Sequence, residues 1–163
     1  MSSDSEAMSR RSAIKAIAVL SVCPLIQSCE FVNHDGLESE LEATGFSLDD
    51  PDFEDLTSVG GTACFALGAV EVLLVRTSEQ EVLAFNRICP HNSLSMGPCD
   101  SGAQAAQWDE QEEMLVCQWH QSGFDRNGEV VQQPTVGSVD EPLQVYPVEF
   151  DAETGEGIVF LPE

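Results

Sequence analysis

The sequence predicts an all-β protein, organised as an antiparallel β sandwich or barrel. Beyond Leu56 the chain consists of short runs rich in β-branched and aromatic residues. Turn residues separate these runs at the close spacing typical of such folds, and no long amphipathic helical pattern is evident. The 163 residues leave room for one domain of ordinary size plus an appendage.

Seven runs are expected to form strands, and residues that favour turns separate them. Gly60-Gly61 precedes the first run and Gly68 separates the first from the second, because glycine tolerates the backbone conformations that tight turns require. Asn127-Gly128 and Thr154-Gly155 mark later turns. The runs are Thr62–Leu67, Val70–Arg76, Val82–Asn86, Gln107–Asp109, Met114–Cys117, Leu143–Phe150 and Ile158–Leu161.

Acidic residues dominate the charge of the chain. There are 29 Asp and Glu against 6 Lys and Arg, a formal net charge of −23, and no lysine follows Lys15. Nucleic-acid affinity comes mainly from cations that displace counterions, so this charge excludes a nucleic-acid partner. It also disfavours anionic membrane surfaces and is typical of proteins that stay hydrated in concentrated salt.

Residues 1–28 have the pattern of an export signal. Arg10 and Arg11, with Ser9 before them and Lys15 close behind, resemble the twin-arginine signal, which directs folded, cofactor-loaded proteins out of the cytoplasm. The apolar run 16–26 has the length of a signal-peptide core and is too short to span a bilayer. We therefore expect the protein to act at the periplasmic or extracellular face of the membrane.

The signal ends in Ile26-Gln27-Ser28-Cys29, which resembles the box that lipoprotein signal peptidases recognise. Cys29 would then begin the mature chain and carry a lipid that anchors it to the membrane. Two alternatives stay open, an uncleaved membrane anchor and cleavage that releases a soluble protein.

Residues 29–56 are expected to form an acidic linker. Between Glu30 and Asp55 there are ten acidic residues and no basic one. Self-repulsion and few apolar side chains favour a solvated, extended segment here. The domain itself is then expected to span residues 57–163.

Two short motifs, Cys89-Pro90-His91 and Cys117-Gln118-Trp119-His120, each place a cysteine close to a histidine. They resemble the two cluster-binding loops of Rieske proteins, in which two cysteines hold one iron of a [2Fe-2S] cluster and two histidines hold the other. The resemblance covers about residues 57–163. It implies a Rieske-type β sandwich with a small cluster-binding subdomain at its tip, and one [2Fe-2S] cluster.

The resemblance also implies a role for individual residues. Cys89 and Cys117 would bind the inner iron, and His91 and His120 the outer, more exposed iron. Pro134 would belong to a loop that covers the cluster.

The segment after the second motif carries a possible donor to the cluster. Ser122 lies where Rieske proteins of cytochrome bc complexes have a serine that donates a hydrogen bond to a bridging sulfide, and a serine that only caps the turn is the alternative. Phe124 occupies the neighbouring position, where those proteins have a tyrosine.

Two departures separate this chain from the Rieske proteins of cytochrome bc complexes. Those proteins carry an extra cysteine in each loop, joined as a disulfide, and Leu94 and Trp119 occupy these positions here. Gln121 replaces the glycine usual after the second histidine. The remaining pair, Cys64 and Cys99, either forms a disulfide or consists of two separately buried thiols.

These observations favour an electron-transfer protein with no catalytic site of its own. The only histidines are His34, His91 and His120, so the chain cannot assemble the mononuclear iron site of a Rieske oxygenase. A zinc-binding structural module is a less favoured alternative, since zinc fingers pair cysteine with cysteine and histidine with histidine along the chain. A redox partner protein is expected, either for a membrane-tethered carrier or within a larger exported oxidoreductase, as in the arsenite oxidase family.

Overall fold

The computed structural model describes residues 42–99 and 102–161. The export signal, Cys29 and the first part of the linker lie outside the described residues. The described elements are thirteen strands and one 3₁₀ helix, Pro51–Thr57. The strands are β1 (Glu42–Ser47), β2 (Thr62–Leu67), β3 (Val70–Ser78), β4 (Glu81–Asn86), β5 (Ile88–Cys89), β6 (Leu94–Ser95), β7 (Gln107–Asp109), β8 (Met114–Cys117), β9 (Ser122–Asp125), β10 (Val130–Gln132), β11 (Val145–Tyr146), β12 (Val148–Asp151) and β13 (Glu156–Leu161).

Antiparallel pairing joins these strands into four sheets. Their strand orders are β11-β4-β3-β2, β1-β13-β12, β10-β9-β8-β7 and β5-β6. The predicted all-β class is confirmed, and β2, β7 and β8 have the predicted bounds. The expected run Leu143–Phe150 divides at Pro147, because proline has no N–H to donate to a sheet.

The sheet β11-β4-β3-β2 is buried on both faces. Along β3, Val72 and Leu74 pack into one hydrophobic cluster, while Leu73 and Val75 pack into the other. Side chains alternate between the faces of a strand, so an uninterrupted apolar run is what a two-sided sheet requires. One cluster also contains residues of β1, β12 and β13, and the other lies under the two Cys-His loops.

The linker expectation is wrong for residues 42–56, which belong to the folded domain. Strand β1 pairs with β13, and Phe46 and Leu56 are 3% and 0% exposed. Asp50 begins the 3₁₀ helix by accepting a hydrogen bond from Asp52 N (3.0 Å), with Pro51 in the first turn. The acidic side chains face solvent here while a few apolar ones reach the core, so charge density alone was misleading.

Arginines are used internally in this acidic domain. Arg76 is 5% exposed, with its guanidinium 4.6 Å from the centre of the Phe150 ring and hydrogen bonds to the carbonyls of Ser78 and Glu79. Arg126 pairs at the surface with Glu81 at 3.3 Å.

No helix within the described ranges is long and apolar enough to cross a membrane.

Candidate metal centre

Each of the two Cys-His loops contains a backbone turn of the same kind. Loop 1 follows β5 and loop 2 joins β8 to β9. The carbonyl of Cys89 accepts a hydrogen bond from Ser93 N, and that of Cys117 accepts one from Gln121 N, both at 2.9 Å. Ser93 and Gln121 both have left-handed backbones, with φ of 53° and 64°. Gln121 thus keeps the turn for which a glycine is usual, at a cost of about 1–2 kcal/mol for a residue with a Cβ.

The two loop cysteines are buried and lie against each other. Cys89 and Cys117 are 2% and 1% exposed. A hydrogen bond from Cys89 lowers the pKa of Cys117 to about 7, and the backbone N–H groups of Trp119 and His120 act in the same direction against the effect of burial. The same thiol contact, together with burial, raises the pKa of Cys89 above its usual range. Two buried thiols in contact are ligands of the kind that iron–sulfur sites use.

The two loop histidines also lie against each other. The ring centres of His91 and His120 are 4.9 Å apart, and the rings are nearly perpendicular. His91 Nδ1 is buried and has no hydrogen-bond partner among the described residues. Its other nitrogen, Nε2, faces Gly137, where an added Cβ atom would lie 3.1 Å away. One nitrogen of His91 is thus turned inward with an unused lone pair or proton.

The loop around Pro134 contacts both histidines. The Gln133 amide closes it by hydrogen bonds to the backbone of Val139, donating to the carbonyl at 2.9 Å and accepting from N at 3.0 Å. Inside this closure, Thr135 N donates to His120 O at 2.7 Å, and Gly137 approaches His91. Pro134 itself is buried. The sequence singled out the loop but not the Gln133 closure, because nothing near Gln133 in the chain marks Val139 as its partner.

A hydrogen bond connects the two loops where bc-type proteins have a disulfide. Trp119 Nε1 donates to Ser95 O at 2.8 Å, and Leu94, beside Ser95, pairs with Cys89 in the β5-β6 ladder. On the other side of loop 1, Arg87 donates to Met96 O at 2.8 Å and pairs with Glu71 at 3.1 Å. Sequence reasoning missed Arg87, although a basic residue two places before the first motif is rare in so acidic a chain.

Ser122 is buried beside the cysteines. It is 0% exposed, and its Oγ has no hydrogen-bond partner among the described residues. It lies close enough to the Cys89 thiol to act against the raised pKa of that group. Leaving a buried hydroxyl without an acceptor is costly, so such a group calls for an acceptor supplied by a bound group. Phe124, the neighbouring position, is fully buried in the core and has no hydroxyl.

The donor set fits a [2Fe-2S] cluster. Each loop supplies one buried cysteine and one histidine, the cysteines lie against each other and so do the histidines, and the orphaned His91 Nδ1 and Ser122 Oγ are both polar atoms that such a cluster would satisfy. The family model for the Rieske [2Fe-2S] domain matches residues 52–147.

The chain belongs to the Rieske [2Fe-2S] family.

A Rieske domain binds a [2Fe-2S] cluster, and membership implies a role in electron transfer with a redox partner or within a larger oxidoreductase. A search of the curated proteins found no match to this chain.

Three solved structures are similar to this chain. The putative NADH-dependent nitrite reductase small subunit from Mycobacterium tuberculosis aligns with a TM-score of 0.51 and 16% identity, over 76% of this chain and 97% of that one. The plasma membrane Rieske protein from Synechocystis gives 0.45 and 19%, over 66% and 93% of the two chains. The terminal oxygenase of carbazole 1,9a-dioxygenase from Nocardioides aromaticivorans gives 0.46 and 21%, over 65% of this chain and 28% of that one. The likeness to the nitrite reductase subunit, at 16% identity, concerns the fold alone.

The other two cysteines of the described ranges, Cys64 and Cys99, lie against each other. Their Cα atoms are 5.9 Å apart, a separation that a disulfide spans. Cys64 is half-buried on β2 and Cys99 is exposed after β6. The geometry therefore favours the paired alternative over two separately buried thiols.

Proposed function

We propose that this Rieske protein is an exported electron carrier whose cluster is held by Cys89, Cys117, His91 and His120. The observation that carries the assignment is the pairing of like with like: thiol against thiol and imidazole against imidazole. A Rieske cluster requires this arrangement, with both cysteines on the inner iron and both histidines on the outer one. When bound, the cluster accepts and releases one electron.

The chain around the four ligands stabilises negative charge at the cysteines and orients His91. Backbone N–H groups of His91, Trp119 and His120 point at the cysteine sulfurs and favour negative charge there. They thereby stabilise the reduced, more negative state and raise the potential. His91 binds through its buried Nδ1, which leaves Nε2 toward the covering loop.

A spectrum of the purified, iron-replete protein tests the proposal. A visible absorption band and, after reduction, the electron paramagnetic resonance of a mixed-valence Rieske centre are expected. A colourless protein that contains zinc would support the structural-module alternative. A signal of the all-cysteine ferredoxin kind would show that the histidines are not ligands.

Ser122→Ala is expected to lower the midpoint potential of the cluster. We propose that the buried hydroxyl donates to a cluster sulfide and that this bond strengthens on reduction by about 1–2 kcal/mol, equivalent to roughly 40–90 mV for one electron. Voltammetry measures the shift. Ser138→Ala, at an exposed serine of the covering loop, is the matched control and should leave the potential unchanged. A shift below about 15 mV with an intact cluster would instead assign Ser122 to the turn alone.

Export and tethering rest on residues outside the described ranges. Changing Arg10 and Arg11 together to lysine is expected to block export, because the twin-arginine route recognises the guanidinium pair. Unchanged export of this variant would argue against a twin-arginine signal.

Cys29→Ala is expected to release the folded protein from membranes, as measured by fractionation. Persistent membrane attachment of this variant would argue against a lipid on Cys29. An oxidising compartment would also favour a disulfide between Cys64 and Cys99.

A further inference from the structure

The three segments that contain or contact the two histidines have no charged side chain. They are loop 1 with its flanks (88–98), loop 2 with the start of β9 (117–124), and the covering segment (130–139). None of them contains Asp, Glu, Lys or Arg, in a chain whose net charge is −23. Acidic residues resume directly beyond them, at Asp125, Glu129 and Asp140. We call the exposed part of these three segments the histidine face.

Exposed apolar side chains are concentrated on the histidine face. Three large hydrophobic residues are exposed in the described ranges, and two of them, Val136 (67% exposed) and Val131 (56%), lie in the covering segment. Val136 stands between Thr135, which donates to His120 O, and Gly137, which contacts His91. Both chain neighbours of this exposed valine thus contact a loop histidine.

We propose that the histidine face docks a redox protein whose contact surface is uncharged at its centre and basic around it. This rests on the proposed function, since it takes the histidine side as the side where electrons leave. The acidic surface attracts a basic protein over a distance, and the uncharged centre avoids the cost of removing carboxylates from water on contact. An apolar centre inside a polar rim is also the usual anatomy of protein interfaces.

A second copy of this chain is a less suitable occupant of the histidine face. Two molecules that each carry −23 repel one another, whereas a basic protein gains from the same field. Dimerisation of this chain through the histidine face would therefore contradict the proposal.

The test follows electron transfer from the reduced holoprotein to mitochondrial cytochrome c, a small basic haem protein used as the probe. Stopped-flow absorbance gives the second-order rate constant as KCl is raised to about 1 M, where the Debye length is about 3 Å and surface charges are screened. The wild-type rate is expected to fall with salt. At the highest salt, Val136→Ser is expected to lower the rate constant about fivefold, because an apolar contact is lost.

Ile158→Ser is the matched control. Ile158 is the third exposed large hydrophobic residue, 38% exposed, and lies on β13 outside the histidine face. Both variants should keep the wild-type potential by voltammetry, and only Val136→Ser should slow transfer. An equal effect of the two variants would overturn the docking face, and a wild-type rate indifferent to salt would overturn the basic periphery.

Two further outcomes separate the docking inference from other failures. A dimer in sedimentation velocity that Val136→Ser dissolves would overturn the proposed partner in favour of a second copy. Absence of any voltammetric wave in the wild-type holoprotein would instead refute the proposed function.

Discussion

Cys117→Ser, and equally Cys89→Ser, His91→Ala or His120→Ala, is expected to abolish the intact [2Fe-2S] cluster. Each change removes one of the four proposed ligands, and the remaining cysteines of the described ranges, Cys64 and Cys99, lie against each other. Iron and acid-labile sulfide content, with the visible spectrum, measure the loss.

The control for ligand loss is the double variant Cys64→Ser/Cys99→Ser, which removes two cysteines but leaves the loops intact. It should retain the visible spectrum and the wild-type content of iron and sulfide. Far-ultraviolet circular dichroism checks that each ligand variant keeps its β structure, so that cluster loss is not mistaken for unfolding. Normal iron and sulfide content in any one ligand variant would remove that residue from the ligand set.

Phe46→Ala is expected to lower the free energy of unfolding by about 3–5 kcal/mol, the usual cost of truncating a buried phenylalanine. The Phe46 ring stacks on Phe150 with centres 6.0 Å apart, and it covers Gly157, where an added Cβ atom would collide with the ring. A loss of this size is a large part of the total stability of a typical domain, about 5–15 kcal/mol. Chemical denaturation of the holoprotein measures it.

Glu42→Ala, in the same strand but with an exposed side chain, is the control for Phe46→Ala and should change the free energy of unfolding by less than about 0.5 kcal/mol. The two variants differ only in whether the lost side chain reaches the core. Equal stability of both would mean that β1 is not part of the cooperative unit.

Strand β1 shows where the sequence could not predict the fold. In Glu42–Ser47 one phenylalanine stands among small and acidic residues, so neither alternation nor β propensity marks the segment strongly. Its pairing with β13 joins residues more than a hundred positions apart. Strands β2, β7 and β8 were predicted with their bounds because local apolar patterns and turn residues delimit them. The strands β5 and β6 have two residues each, too few for any periodicity.

In the candidate site, too, local motifs could be recognised from the sequence, but contacts between distant residues could not. The four motif residues were singled out because their two motifs resemble the cluster-binding loops of Rieske proteins, and the structure brings them together in pairs; their ligand roles remain a prediction. The contacts that hold the loops could not be predicted, because they join distant or unpatterned positions. Trp119 donates to Ser95, which lies 24 residues earlier in the chain. Nothing in the sequence around Gly137 indicates that it lies beside His91.

Trypsin cleaves after lysine and arginine, and most of the arginines in this domain are buried. Downstream of Lys15 the chain offers only Arg76, Arg87 and Arg126. The first two are 5% and 6% exposed, and only Arg126, in the turn after β9, is accessible. Cleavage at Arg76 or Arg87 requires the sheets to open first. The rate of cutting at these two bonds therefore reports the population of opened molecules, with no label or engineered site.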